Sequence, residues 1–222
     1  FQDTWVAGLA DTLIDKDLAE HKLYAPTDTL TDLVLAPFNA RVMKDPKVWG
    51  GIIGALALGI GVSLAIEGGV PETTSTDSDK VNVFGWQAPR ALGYPAGGLV
   101  FTGLFTHVAP AEELLFRGVV QSELAREYGE TTGWIGGSLI FGAIHAPNAY
   151  ALPKEERRDY YVYGLPVITA IGSYLGYLYK DGDYSLAAPT AVHFWYDFLL
   201  SAAVFTLDPQ NSPISANVGL RF

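Results

Sequence analysis

The sequence predicts an all-α fold: a polytopic transmembrane bundle of about six helices with an amphipathic helical segment before it. Three observations predict this. The chain of 222 residues is 49% hydrophobic, yet it carries a formal charge of −10, a pairing that suits a membrane protein with acidic water-facing parts. Several long stretches lack Lys, Arg and Glu entirely. A short apolar run at 111–120, AEELLFRGVV, nevertheless holds two adjacent glutamates and an arginine.

The elements follow in chain order. Residues 1–46 form an N-terminal segment in which Trp5, Leu9, Leu13 and Ile14, with Val6 and Leu18, recur at helical spacing between Asp3, Asp11, Asp15 and Asp17. This is the pattern of an amphipathic helix lying at the membrane interface or on the bundle. A second short helix is expected over about 28–42, interrupted by Pro37. The transmembrane domain, 47–208, opens with 48–66, an uncharged run of the length that crosses a hydrocarbon core of roughly 30 Å as a helix. Residues 67–88, rich in Glu, Thr, Ser and Asp, read as a polar loop. Residues 91–109 form a second span, with His107 its only titratable group apart from tyrosine.

Pro110 then marks the start of an amphipathic helix over about 111–127, and Gly129 its stop. Its charges are expected to keep it among other helices, away from lipid. Residues 132–147 and 162–179 give two more apolar stretches, the first carrying His145, with a basic loop at 148–161 between them. The last span, 184–207, carries His193 and Asp197. Glycine is frequent in these stretches, as in helices that pack closely in lipid. The tail, 209–222, ends in ISANVGLRF, which alternates like the last strand of an outer-membrane barrel. The helical spans contradict a barrel, and a surface strand or coil is expected there.

If all six helices cross, Arg41, Lys44, Lys47, Lys154, Arg157 and Arg158 share the side of the N-terminus. Lys80, Arg90, Arg126 and Lys180 take the other, a bias that places both termini in the cytoplasm. With no cysteine, disulfides, zinc–thiolate sites and thiol nucleophiles are ruled out. The acidic balance argues against nucleic acid as a partner. The lipid bilayer is the partner that the spans imply. The chain opens at Phe1 rather than Met, consistent with a processed end, and no signal-peptide pattern is visible.

The chemistry lies in the charges at bilayer depth, each of which costs several kcal/mol unless paired or wet. The set is Glu112, Glu113, Arg117, His145, His193 and Asp197, with His107 nearby. Glu113 and Arg117, at i and i+4, read as a helix salt bridge that leaves Glu112 free. Asp197 lies four residues after His193 on the same face, placed to fix its tautomer. Three separate helices each contribute a His or a carboxylate, so the groups are expected to converge on one polar cavity. There, Glu112, His145 and His193 would either ligate a divalent metal such as zinc, or Glu112 would act as general base on a water held by the imidazoles. The two options stand equally open. Both make a nucleophile of water, and hydrolysis of an amide bond is the natural reaction. The carboxylate of Glu112 should then lie within about 5 Å of both His145 and His193.

These residues carry a resemblance. EELLFR at 112–117, FGAIH at 141–145 and HFWYD at 193–197 resemble the three-part EExxxR, FxxxH, HxxxN/D pattern of the CPBP family of intramembrane proteases. That family includes type II CAAX prenyl endopeptidases and bacteriocin-processing or self-immunity proteins. The resemblance covers about 110–200. It implies that Glu112 and His145 activate the attacking water, and that His193 with the residue four on stabilises the oxyanion. That residue is Asp197 here; an ionised Asp cannot donate a hydrogen bond, so it would stay protonated, orient His193 or ligate a metal. The substrate implied is a membrane-associated peptide or protein, prenylated or not, and the location is the inner (cytoplasmic) membrane of a bacterium. The alternatives from other classes are a non-catalytic family member serving as a scaffold or binding subunit of a membrane complex, and a transporter using the same polar pocket.

Overall fold

The computed structural model describes residues 24–67 and 79–210. The expected amphipathic helix at the N-terminus, half of the polar loop and residues 211–222 of the tail lie outside the described residues. Within them, the chain is overwhelmingly helical, as the sequence predicts.

α1 (Leu30–Leu35) is started by a capping box: the Thr29 hydroxyl accepts from the Asp32 N–H, and the Asp32 carboxylate accepts from the Thr29 N–H, so two of the free N–H groups of a helix start are satisfied. At Pro37 the chain tightens into a 3₁₀ turn, Ala36–Phe38, where the sequence predicts an interruption. α2 (Pro46–Glu67) is the first long apolar helix. The expected polar loop is corrected in part. Residues 80–89 form an antiparallel hairpin, β1 (Lys80–Val83) and β2 (Trp86–Pro89), turned at Phe84 and Gly85 with positive φ. Short β-branched runs around a glycine turn carry this signal, which the polar composition of the neighbouring residues hid.

The spans at 91–109 and 111–127 are corrected to one element. α3 (Arg90–Glu113) runs through Pro95 and Pro110 into a π-helical turn, Leu114–Gln121, and on into α4 (Ser122–Tyr128). Proline removes one N–H from the ladder, but neighbouring helices and backbone adjustments let membrane helices tolerate it. The widened turn at 114–121 follows Pro110 directly. One face of this turn also reaches outward, since Leu115 and Val119 are each 52% exposed. The expectation that the helix is wholly enclosed is corrected: only its charged face is. α5 (Glu130–Ile144) and α6 (Leu165–Asp181) complete the apolar set with α7 (Ala187–Leu207).

Among the described residues, three helices are long and apolar enough to cross a membrane: Pro46–Ile66, Arg90–Tyr128 and Ala187–Leu207. Six crossings are not what the structure supports. α5 has 15 residues, too few for a full crossing at about 1.5 Å each, and tyrosines dilute the apolar character of α6. Cross-chain bonds show the layout. At one end of the bundle Lys47 pairs with Asp181, Arg126 donates to the Tyr24 carbonyl, Ser185 and the Leu186 N–H donate to Asp28, and Tyr184 donates to Glu130. At the other end the Asn82 N–H donates to Pro209 O. α2, the α3–α4 rod and α7 therefore traverse the bundle, while α5 and α6 enter and return from one end as a helical hairpin. Lys47 shares its end with Asp181 and Arg126, which corrects the basic-residue count made on six alternating crossings.

α6 is the axis of the interior. Its Leu175 and Leu178 pack with Val48 and Ile52 of α2 and Ala191 and Val192 of α7. A second apolar layer joins Phe101 and Phe105 of α3 to Phe194 and Phe205 of α7 and to the hairpin valines Val81 and Val83. Many large apolar side chains elsewhere point outward, among them Leu99, Ile53, Leu139 and Ile144. An exposed apolar surface of this extent is what a bilayer covers.

Candidate active site

The six residues singled out in the sequence come together between the α3–α4 rod, α5 and α7. Glu112 and Glu113 close α3, Arg117 lies in the π-helical turn, His145 caps α5, and His193 and Asp197 sit one turn apart on α7. The convergence has a local cause. π-Helical turns recur at functional sites because the extra residue re-aims the side chains around it, and this one sets the two glutamates and the arginine against three helices at once.

The two glutamates have different surroundings. Glu113 is fully buried. Its Oε1 accepts from Arg117 Nη1 at 2.9 Å and from His193 Nδ1 at 2.7 Å, while its Oε2 is buried without a hydrogen-bond partner. Arg117, also buried, donates from Nη2 to the Gly172 carbonyl of α6 at 2.7 Å and stacks its guanidinium 4.3 Å from the centre of the Phe141 ring. Gly172 is required here: a Cβ would come within 2.5 Å of Phe141. The i, i+4 salt bridge expected from the sequence thus exists, and it also ties α3 to α6 and α7.

Glu112 is 31% exposed. Its Oε2 lies 4.0 Å from His145 Nε2 and 3.8 Å from His193 Nε2, inside the 5 Å expected and too far for direct hydrogen bonds. His145 Nδ1 lies 2.7 Å from the Phe141 carbonyl. A carbonyl only accepts, so Nδ1 carries a proton, and in the neutral tautomer this leaves a bare Nε2 turned toward Glu112. His193 Nδ1–H likewise faces Glu113, and its Nε2 faces Asp197 Oδ2 at 3.4 Å. Beside these rings is a cavity of about 90 Å³, lined by the polar residues His145, Asn148, Tyr160, His193, Tyr196 and Asp197 and by apolar Phe141, Ile168, Ile171 and Leu175. At about 30 Å³ per water molecule it has room for a few.

Asn148 and Tyr160 were missed by sequence reasoning. Asn148 carried a usable signal, standing three residues after His145 in a tight turn with Pro147. Tyr160 carried none; it reaches the site from a second π-helical turn, Tyr160–Gly164, and donates to the His145 carbonyl at 2.8 Å. His107 does not join the site. It is exposed on α3, its ring bonded to the Gly103 carbonyl.

The metal option was tested on the donor set. Glu112, His145 and His193 are the ligands on offer, yet among the described residues no three His, Asp or Glu side chains are grouped so as to hold one ion. At zinc–ligand distances of about 2.0–2.2 Å, the 3.8 and 4.0 Å separations demand a much wider ligand angle than a tetrahedral site has. The residues as placed do not fit a metal.

With this geometry in hand, the chain can be compared with known proteins. Residues 94–199 match the family described as type II CAAX prenyl endopeptidase Rce1-like. That segment is a Rce1-like domain. The match spans every site residue from Glu112 to Asp197, in agreement with the resemblance carried by the three motifs. No curated protein and no solved structure matches the chain. The Rce1-like family and the apolar helices together make this an integral membrane protein.

Proposed function

We propose that the chain is an intramembrane endopeptidase. It hydrolyses a peptide bond of a membrane-associated substrate, a prenylated peptide being the first candidate, in the cytoplasmic membrane of a bacterium. The observation that carries the reading is the Glu112 carboxylate standing 3.8–4.0 Å from two imidazole Nε2 atoms beside a water-sized cavity. A water in that gap would donate to Glu112 and to the bare Nε2 of His145. Glu112 takes the proton as the water oxygen bonds to the scissile carbonyl carbon. The carbonyl electron pair moves to oxygen, where His193, doubly protonated between the Glu113 and Asp197 carboxylates, presents its Nε2–H to the developing charge. The C–N bond then breaks and Glu112 returns the proton to the leaving amine.

Glu113 and Arg117 position this machinery. Glu113 fixes the His193 ring through Nδ1, and Arg117 balances its buried charge. Asp197, acceptor-only when ionised, orients His193 from the other side. The experiment is cleavage of an internally quenched, farnesylated peptide by the purified chain in detergent. Wild type is expected to cleave it. Glu112→Gln should lower the rate by about 10²–10⁴-fold, the usual worth of a general base, with the melting temperature nearly unchanged. Cleavage by Glu112→Gln at the wild-type rate would remove the water-activation role.

A further inference from the structure

We infer that Asn148 is a further catalytic residue, its side-chain amide donating a hydrogen bond to the oxyanion. The inference rests on the endopeptidase reading and extends it to a residue outside the three motifs. The tetrahedral intermediate needs donors that are already in place when charge develops on oxygen. The cavity has few to offer. The His145 Nδ1–H is bonded to Phe141 O and its Nε2 faces the water position. The Tyr160 O–H is bonded to the His145 carbonyl. The Tyr196 hydroxyl is buried away from solvent against Gly59, where a Cβ would lie 3.1 Å from it. Asp197 only accepts when ionised. His193 Nε2 gives one donor.

That leaves the amide of Asn148, which has two N–H groups. It lines the same cavity as His145, His193 and Asp197. Its backbone N–H donates to the His145 carbonyl at 3.0 Å, the same carbonyl that accepts from the Tyr160 hydroxyl, and both residues line the cavity. One 3₁₀ turn, Ala146–Ala151, thus carries the amide at a set distance from the imidazole that orients the water. With Asp197 in place of a neutral amide on α7, Asn148 supplies the uncharged donor from the turn after α5.

The test uses the full chain in detergent and the farnesylated peptide. Asn148→Asp keeps the side chain's size but replaces its donor; Asn148→Ala removes the side chain. Both are expected to lower kcat by roughly 10²–10³-fold, the effect of deleting one oxyanion donor, with KM held within about twofold, because an interaction made only in the transition state changes kcat and not KM. Adding Asp197→Asn to Asn148→Ala should restore part of kcat by returning an amide to the cavity. Asn148→Asp with wild-type kcat overturns the inference, as does a rise in KM with kcat intact. If Glu112→Gln is inactive while Asn148→Asp is normal, only the role of Asn148 falls. A wild type that leaves the peptide uncut overturns the endopeptidase reading, and this inference with it.

Discussion

Glu112 and Glu113 are neighbours in the chain and stand in two different halves of the site. The Glu113 half is dry and closed: carboxylate, guanidinium, imidazole and the Gly172 carbonyl bond one another directly at 2.7–2.9 Å. The Glu112 half is open: its carboxylate is partly exposed and stops 3.8–4.0 Å from each imidazole. A buried, mutually bonded ion pair holds helices in register and has no room for a reactant. A carboxylate held one solvent layer from two rings has room for little else. On the proposed mechanism, two adjacent identical residues take a positioning part and a chemical part, set apart by the widened turn that follows them.

Swapping the two halves breaks this comparison most sharply. Glu112→Gln should abolish cleavage and spare stability. Glu113→Gln and Arg117→Leu should lower stability as well as cleavage, costing about 3–5 kcal/mol each because a buried charge loses its partner. Thermal unfolding in detergent, read beside the cleavage rate, separates the two signatures. Equal loss of stability from Glu112→Gln would show that the open half is structural too. A smaller effect sharpens the closed half. Gly172→Ala forces a methyl against Phe141 and should cost about 1–3 kcal/mol as overpacking. Its measure is the melting temperature, with an accompanying fall in rate if Phe141 carries His145 with it.

Much of the site was legible in the sequence because charge is expensive at bilayer depth. Glu112, Glu113, Arg117, His145, His193 and Asp197 stood out against apolar surroundings, and lipid leaves such groups nowhere to go but one another. Their convergence followed from that cost alone. The path of the chain was less legible. Apolar runs at 132–147 and 162–179 look like spans by composition, yet whether a helix crosses or returns is decided by packing, here by the Lys47–Asp181 and Tyr184–Glu130 contacts between residues far apart in sequence. Pro110 reads as a helix start by propensity, and tertiary neighbours carried the helix through it. Tyr160 and the Gly172 carbonyl left no trace, because a backbone oxygen has no residue type and an aromatic beside other tyrosines has no distinguishing pattern.

On the proposed mechanism Glu112 activates a water, and that water attacks the substrate directly. Single-turnover cleavage in ¹⁸O water, followed by mass spectrometry of both product and protein, tests it. The label is expected in the new carboxylate of the released peptide, with none in the peptide that contains Glu112. Label found in the Glu112 side chain would show that the carboxylate itself attacks and is later hydrolysed, and would contradict the claim.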